Sequence, residues 1–387
     1  MNNRKIKVLH FGLSLNRGGI ETYLHKISSI INNENFSFSF INSTSSVPCF
    51  YEELSEMGCN FHKITPRRSN LLKNKRDLKK LFKENDFDIL HFHVNTLSYI
   101  DPVLFALKNE VKIVIHSRNA GAAGSNLTQF LHRVNKFRVQ LLGDKVTKVS
   151  VSQLAGEWLF GKNNNFTVYN NGIDLERFRF LENERILLRK ELNIDDTTYL
   201  LGNVGAFVPA KNQEFAVKIL KGVVESGIDA KLLLIGEGTL KKNVVNLVDE
   251  LGLKNKVIFL GKREDMPNIL SALDMFLFPS FYEGFPNAVL EAQACGLPCL
   301  ISDKITEEVV IDNYAVKQLP IDCSSYNDWV KRVVFFSSEK FNNSGYVNDE
   351  RGDAWKKIKE AGFSNKEEVI RLEALYEKVI SEGGVSH

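Results

Sequence analysis

Apolar residues fall into short unbroken runs along this chain, each closed by glycine or polar residues and followed by apolar positions at helical spacing. Runs at residues 7–11, 36–41, 88–93, 112–116, 145–152 and 167–170 predict buried strands in the first part of the chain. Runs at 199–204, 231–235, 257–260, 275–278 and 298–302 predict them in the second. Helical spacing is clear at Ala288, Val289, Leu290, Ala292 and Ala294, and again within 366–380 at Val369, Leu372, Leu375, Tyr376 and Val379. Strands that alternate with helices build parallel sheets. The alternation restarts after a charged helical stretch at 182–193, with no internal repeats or low-complexity linkers. A chain of 387 residues then reads as two α/β domains, since single cores rarely grow beyond about 250–300 residues.

One stretch organises the second half: residues 279–298 read PSFYEGFPNAVLEAQACGLP. The strand at 275–278 enters a turn-rich loop, and the helical pattern that follows is stopped by Gly296 and Pro298. Pro286 suits the first turn of that helix, where its missing N–H costs little. Strand, glycine-containing loop and helix N-terminus together aim free N–H groups and the helix dipole beyond the strand ends, a geometry suited to an anion. Glu283 on the loop and Glu291 inside the helix frame this point. Carboxylates repel phosphate, so they suit the hydroxyl groups of a ligand. An anion site with two hydroxyl acceptors describes a sugar nucleotide; the plainer reading is a surface loop and a helix-terminal charge.

Other segments carry candidate chemistry. Gly18 and Gly19 follow the first strand and precede a helix from about residue 21, offering either phosphate-facing amides or a turn; this is not the GxGxxG fingerprint. His116 ends a strand and is followed by Ser117, Arg118 and Asn119, where ligands of open α/β sheets bind. A lone histidine there is also an ordinary structural residue, and of His91 and His93 at least one is expected to be packing. Lys211, in the loop GAFVPAKN at 205–212, can sit over a diphosphate as a point charge. Gly236-Glu237-Gly238 and the turn Gly261-Lys262-Arg263 close two more strands.

Residues 283–291, EGFPNAVLE, resemble the EGFPxxxxE signature of the retaining glycosyltransferases of family 4, and the flanking segments extend the resemblance over most of the chain. The resemblance implies the GT-B architecture, two Rossmann-like domains with parallel sheets facing across a cleft. Residues 1–180 would form the acceptor-side domain and 181–365 the nucleotide-sugar domain, with a C-terminal helix at about 366–387 packing back on the first. NGIDxxxF at 171–178 resembles the exit from the first domain. By the same resemblance Glu283 contacts the donor sugar, and the loop Gly284, Phe285, Pro286 and Asn287 contacts sugar and diphosphate, with amides from its non-proline residues. Glu291 holds the ribose, and the turn at Arg263 contacts the base. Gly18 and Gly19 lie near the donor phosphates, and His116 faces the donor sugar.

The family pattern G-R-x(4)-K-N pairs two cations on the leaving pyrophosphate. Lys211 matches the second; Ala206 stands where the arginine belongs. The implied reaction is retaining transfer from a nucleoside-diphosphate sugar, with UDP expected, to a saccharide or polyprenyl-linked saccharide in cell-surface polysaccharide assembly. Glu283, Lys211 and His116 carry the catalytic expectation. No cofactor is implied and no metal, since Lys211 and the helix N-terminus near Pro286 take the cation's part. Two alternatives stay open: an epimerase on the same architecture that needs no acceptor, and a non-catalytic sugar-nucleotide-binding subunit, which Ala206 suggests.

The net charge of +3 conceals an asymmetry. Residues 1–150 hold 22 Lys and Arg against 12 Asp and Glu, and the remainder 28 against 35. The basic half contains two amphipathic segments. Residues 63–83 place nine basic side chains around Leu71, Leu72, Leu78, Leu81 and Phe82; residues 128–142 place His132, Arg133, Lys136 and Arg138 beside Phe130, Phe137 and Leu141. They fit docking on an anionic membrane surface or a solvated helix face over an ordinary core stripe. Nucleic acid is not indicated, because no binding motif accompanies the charge. No apolar run has the length of a membrane span and no signal peptide is read, so the expected place is the cytoplasm, peripheral at the inner face of the membrane. Cys49, Cys59, Cys295, Cys299 and Cys323 lack zinc spacing and are expected to be free thiols.

Overall fold

The computed structural model describes residues 4–121, 124–322, 324–342 and 351–382. The chain divides into two compact units, Met1–Asn171 with Asn365–His387, and Gly172–Ser364. In the first, seven strands are ordered β3-β2-β1-β4-β5-β6-β7. They are β1 (Ile6–Phe11), β2 (Phe36–Asn42), β3 (Asn60–Lys63), β4 (Ile89–Val94), β5 (Lys112–Ser117), β6 (Thr147–Ser150) and β7 (Thr167–Val168). In the second, six strands are ordered β10-β9-β8-β11-β12-β13: β8 (Tyr199–Val204), β9 (Ala230–Ile235), β10 (Val257–Gly261), β11 (Met275–Phe278), β12 (Cys299–Ser302) and β13 (Val316–Leu319). Every described strand pair is parallel. The central strands are buried on both faces, which is why they read as unbroken apolar runs.

Each sheet has a point where strand order reverses, between β1 and β4 in one unit and between β8 and β11 in the other. Loops leaving the carboxyl ends at such points diverge to opposite faces and open a crevice, the standard ligand position in this class. The second unit begins at Gly172, because the N–H of Ile173 donates to Phe363 O at 2.9 Å and anchors the NGID stretch there. The C-terminal helix Asn365–Ser381 joins the first unit's core, where Val369, Leu372, Leu375 and Tyr376 pack with Val8, Leu24, Phe36 and Phe38. The end of the expected segment, 383–387, lies outside the described residues, as does Cys323. The other four cysteines are free, Cys295 and Cys299 buried and Cys49 and Cys59 half-buried.

One element differs from expectation. Pro286 is the N-cap of the helix Asn287–Ala294 and not part of its first turn. In the basic segment 63–83 the helix is Leu71–Glu84, and Leu78, Leu81 and Phe82 are buried in the core as an ordinary core stripe. Only Leu71 and Leu72 of that apolar set are exposed.

Candidate active site

In the second unit, two loops leave the reversal point, 205–212 after β8 and 279–286 after β11. Three contacts stitch them together. The N–H of Phe281 donates to Ala210 O at 2.8 Å, and the Asn212 amide donates to Pro279 O at 3.2 Å. The Lys211 ammonium donates to Glu283 Oε1 at 2.6 Å. These two catalytic candidates, 72 residues apart in sequence, therefore form one ion pair, mostly shielded from solvent at 22% and 13% side-chain exposure. The ring of Phe278 lies 5.0 Å beneath the ammonium. Partial burial strengthens such a pair relative to water, and both groups stand where a ligand would lie.

The glycines of Gly236-Glu237-Gly238 explain how loop 205–212 is held. A methyl group on Gly236, which has φ +135°, would lie 2.1 Å from Gly205 O, and one on Gly238 would lie 2.5 Å from Phe207 O. The close approach lets Phe207 N–H donate to Glu237 O at 3.0 Å and Leu240 N–H to Phe207 O at 3.0 Å. This motif is a backbone brace for the lysine loop. Ala206 has an exposed side chain beside it, so the missing arginine leaves no cavity.

The helix Asn287–Ala294 begins next to Glu283 in sequence and has no side-chain cap. Phe285 is buried and stacks on Phe363 at 5.7 Å, while Gly284 and Pro286 are also buried. Asn287 and Glu291 are half-buried, one helical turn apart. Arg263 is clamped by Asp265 through its Nε and a terminal nitrogen at 2.7 and 2.6 Å; that hydrogen-bonded pair raises the guanidinium pKa and lowers the carboxyl's. Sequence reasoning missed Asn203, whose amide donates to Leu277 O at 2.8 Å, and Ser280. Both lie at this crevice, and Asn203 Oδ1 and Ser280 Oγ are buried without a protein partner. No apolar pattern marks either.

In the first unit, Gly18 caps the helix Gly19–Ile30. The carboxylate of Glu21 folds back over this terminus, and a methyl group on Gly18 would come within 2.8 Å of its oxygen. Beside it lies a feature invisible to motif reading. Register sets His10 beside His91 and His93 beside His116, all on one face of the sheet. All four rings are buried. Arg118 donates to His116 Nε2 at 3.2 Å; His116 Nδ1 meets His91 Nε2 at 3.1 Å, and His91 Nδ1 meets the Tyr376 hydroxyl at 2.6 Å.

Arginine only donates, so His116 Nε2 must be the acceptor and its proton must sit on Nδ1. That proton occupies His91 Nε2, which puts the His91 proton on Nδ1, directed at Tyr376. The direction of every bond in the relay is thereby set, and both rings are neutral. Burial, followed by neighbouring positive charge, pulls the pKa of His91 and His116 well below the ordinary value. His116 thus has both nitrogens engaged, a departure from the expected contact with sugar; strand alternation points its ring to the face covered by Tyr23 and Tyr376. His10, His91 and His93 also bring ring nitrogens within 4.8 Å of one another, a metal-like spacing. Yet among the described residues no carboxylate joins them, His10 Nδ1 is bonded to His93 Nε2 at 3.1 Å, and the buried Arg118 repels a cation. The rings fit a hydrogen-bond network better than a metal.

On the surface of the same unit, the helix Asn126–Leu141 carries Leu127, Phe130, Val134, Phe137 and Leu141 in one outward stripe, 37% to 70% exposed. Its opposite face buries His132, Asn135 and Val139. Among the described residues no helix is long and apolar enough to cross a membrane.

Residues 184–347, inside the second unit, match the family Glycosyl transferases group 1. The chain is 32% identical over 317 residues to a Bacillus subtilis protein named as glycosyltransferase EpsF, covering 80% of this chain and 82% of that one. It is 28% identical over 311 residues, 77% and 80% of the two chains, to the Escherichia coli UDP-Gal:alpha-D-GlcNAc-diphosphoundecaprenol alpha-1,3-galactosyltransferase. Anabaena HepE, solved in complex with UDP, superposes with a TM-score of 0.75 over 96% of this chain and all of its own, at 16% identity.

Proposed function

The chain belongs to the group 1 glycosyl transferases, with the GT-B fold, and from that premise we propose that it moves a sugar, with retention, from a UDP-sugar to a polyprenyl-diphosphate-linked saccharide at the inner face of a membrane. The observation that carries this reading is the Lys211–Glu283 pair at the strand-order reversal of the second unit. It supplies a cation for a departing diphosphate and a carboxylate for sugar hydroxyls at one point. The UDP complex of HepE supports the donor, and the E. coli relative named for a diphosphoundecaprenol substrate supports the acceptor. The basic first part of the chain and the outward stripe of Asn126–Leu141 support the membrane.

In the proposed reaction the bond from the anomeric carbon to the β-phosphate oxygen breaks. The acceptor oxygen bonds the same carbon from the same face, and its proton passes to the departing phosphate. Lys211 and the N–H groups of Gly284, Phe285 and Asn287 stabilise the charge that develops on the diphosphate. Glu283 orients the sugar, Glu291 accepts from the ribose hydroxyls, and Arg263 borders the base. These groups take the part of a metal cation, so transfer is proposed to persist in a chelator. The place proposed for His116 is a positioning one, its neutral ring holding Arg118.

Lys211→Ala tests the core of this reading. Transfer should fall by about two to three orders of magnitude, the value of one oxyanion contact, and Ala206→Arg should raise the wild-type rate by restoring the second cation. Glu291→Ala should weaken UDP binding by roughly ten- to a hundredfold, the worth of charge-assisted hydrogen bonds, whereas Glu283→Gln should lower transfer at nearly constant UDP affinity. Wild-type turnover in Lys211→Ala would remove the assignment.

A further inference from the structure

The helix Asn287–Ala294 carries Glu291 and follows the EGFP loop, and one later stretch of the same unit holds it at both ends. At its carboxyl end Leu297 N–H donates to Ala292 O at 3.0 Å and Gly296 N–H to Gln293 O at 2.9 Å, with Gly296 at φ +68°. This is a glycine-closed helix end that uses the carbonyls one turn back. The carbonyl of Cys295, the C-cap, accepts instead from Arg351 Nε at 3.0 Å. The other arms of this buried guanidinium donate to Leu273 O at 3.0 Å and Leu270 O at 3.2 Å, at the carboxyl end of the helix Met266–Ala272 that leads into β11. A cation among helix-terminal carbonyls is favourable in itself, and three bonds fix its position. The joint is tight: a methyl group on Gly296 would lie 2.6 Å from Arg351 Cα.

At the amino end the hold is aromatic. Phe363 stacks on Phe285 with ring centroids 5.7 Å apart and planes at 16°, both side chains buried. Phe363 is itself fixed, its N–H donating to Ile358 O at 3.2 Å and its carbonyl accepting from Ile173 N–H at 2.9 Å. Between the two grips runs the helix Ala354–Glu360, which buries Ile358 and packs against Asn287–Ala294. The grips act on different chemistry. Glu291 lies one turn before the C-cap, and its carbonyl accepts from Cys295 N–H at 3.1 Å, so the carboxylate assigned to the ribose is next to the Arg351 end. Phe285 belongs to the loop assigned to the diphosphate, which is next to the Phe363 end. We propose that Arg351 and Phe363 are positioning residues for the donor nucleotide, Arg351 setting Glu291 against the ribose and Phe363 setting the EGFP loop against the diphosphate. The proposal rests on the donor reading above and adds the two residues that place its contacts.

The test uses the full chain and two probes, UDP by calorimetry and uridine by competition with it. Arg351→Lys keeps the charge but cannot reach three carbonyls, so it should weaken UDP and uridine alike by about tenfold, the size of one misplaced charge-assisted contact. Gly296→Ala keeps every donor and presses on the same joint, so it should give the same pair of losses and serves if Arg351→Lys does not fold. Phe363→Leu should weaken UDP by about tenfold and uridine by less than twofold, since only UDP carries the diphosphate. Val223→Ala, in the same core but away from both grips, should lower the unfolding temperature and leave both affinities unchanged. In a Glu291→Ala background, Arg351→Lys should add less than about twofold, because the group it places is gone. Losses that multiply in that double variant overturn the role of Arg351, as do wild-type affinities in both Arg351→Lys and Gly296→Ala. Equal losses of UDP and uridine in Phe363→Leu overturn the role of Phe363. Affinity that falls in Val223→Ala as far as in the others reduces both residues to general stability and ends the proposal. Wild-type UDP affinity in Glu291→Ala alone overturns the donor reading itself.

Discussion

At the scale of single residues, the first unit turns on Arg118. Its guanidinium is buried 3.8 Å over the ring of Tyr23 and donates to His116, which sets the tautomers of His116 and His91 in turn. The His10–His93 pair lies in the same layer and, whichever ring donates, leaves one buried N–H and one buried ring nitrogen unpaired. Such a layer tolerates no added proton. Burial lowers the His10 pKa to about 3 and the values of His91, His93 and His116 well below the ordinary 6.5. The unfolded chain then takes up protons that the folded one refuses. The contribution to stability is complete above about pH 6.5 and is lost as pH falls toward the folded values, at up to about 1.4 kcal/mol per ring and pH unit. Hydrogen exchange in β1, β4 and β5, corrected for intrinsic rate, should show protection declining between pH 7 and 5. Protection that stays level across that range would mean the rings are not held neutral. The signal for this network in the sequence was only the histidines at strand ends. Parallel register placed them together, and a single sequence does not display register.

At the scale of elements, the site is a matter of loops braced by other loops. Gly238→Ala would drive a methyl group against Phe207 O, a backbone atom that cannot step aside as a side-chain end can. Loop 205–212 must then move, and Lys211 with it. The variant should lose roughly 1–3 kcal/mol of stability, the usual cost of overpacking, and more than tenfold in transfer, read together by thermal unfolding and rate. Unchanged transfer would show that the glycine brace does not position Lys211. The strands of the crevice were legible because β8 opens on Tyr199, Leu200 and Leu201 and β11 is wholly apolar, and so was the loop-to-helix turn at EGFP. The edge strands β3 and β13 were not legible: Asn60–Lys63 and Val316–Leu319 are half-exposed and carry mixed polarity. Periodicity also could not tell which amphipathic helix keeps its apolar stripe outside. In Leu71–Glu84 the core takes Leu78, Leu81 and Phe82, whereas in Asn126–Leu141 it takes His132, Asn135 and Val139 and leaves the phenylalanines exposed. Polar residues fill that second core contact because Asn135 donates to Leu97 O and His132 accepts from Leu97 N–H.

At the scale of the whole molecule, the chain's order and its cores do not coincide. The last helix, Asn365–Ser381, belongs to the first unit, where it buries Leu375 and Tyr376 and where Glu368 pairs with Lys26. The second unit has its own core around Tyr199, Phe207, Leu220 and Trp329, and it alone holds Lys211, Glu283 and Glu291. Sequence pattern exposed the helix and its apolar spacing; the choice of the first core came from the family resemblance and not from the spacing. Two cores with different contents should respond to different perturbations. Leu375→Ala removes a buried side chain from the first core and should cost about 2–5 kcal/mol there. UDP at a hundred times its dissociation constant should stabilise the unit that binds it by about 2.7 kcal/mol. Calorimetry of the full chain should therefore show two transitions, one lowered by Leu375→Ala and indifferent to UDP, the other raised by UDP and indifferent to the substitution. Because the substituted residue follows the whole second unit in sequence, its effect on the other transition is a sharp expectation. A single transition moved by both perturbations would show that the two cores unfold together, and UDP would then rescue the Leu375→Ala chain.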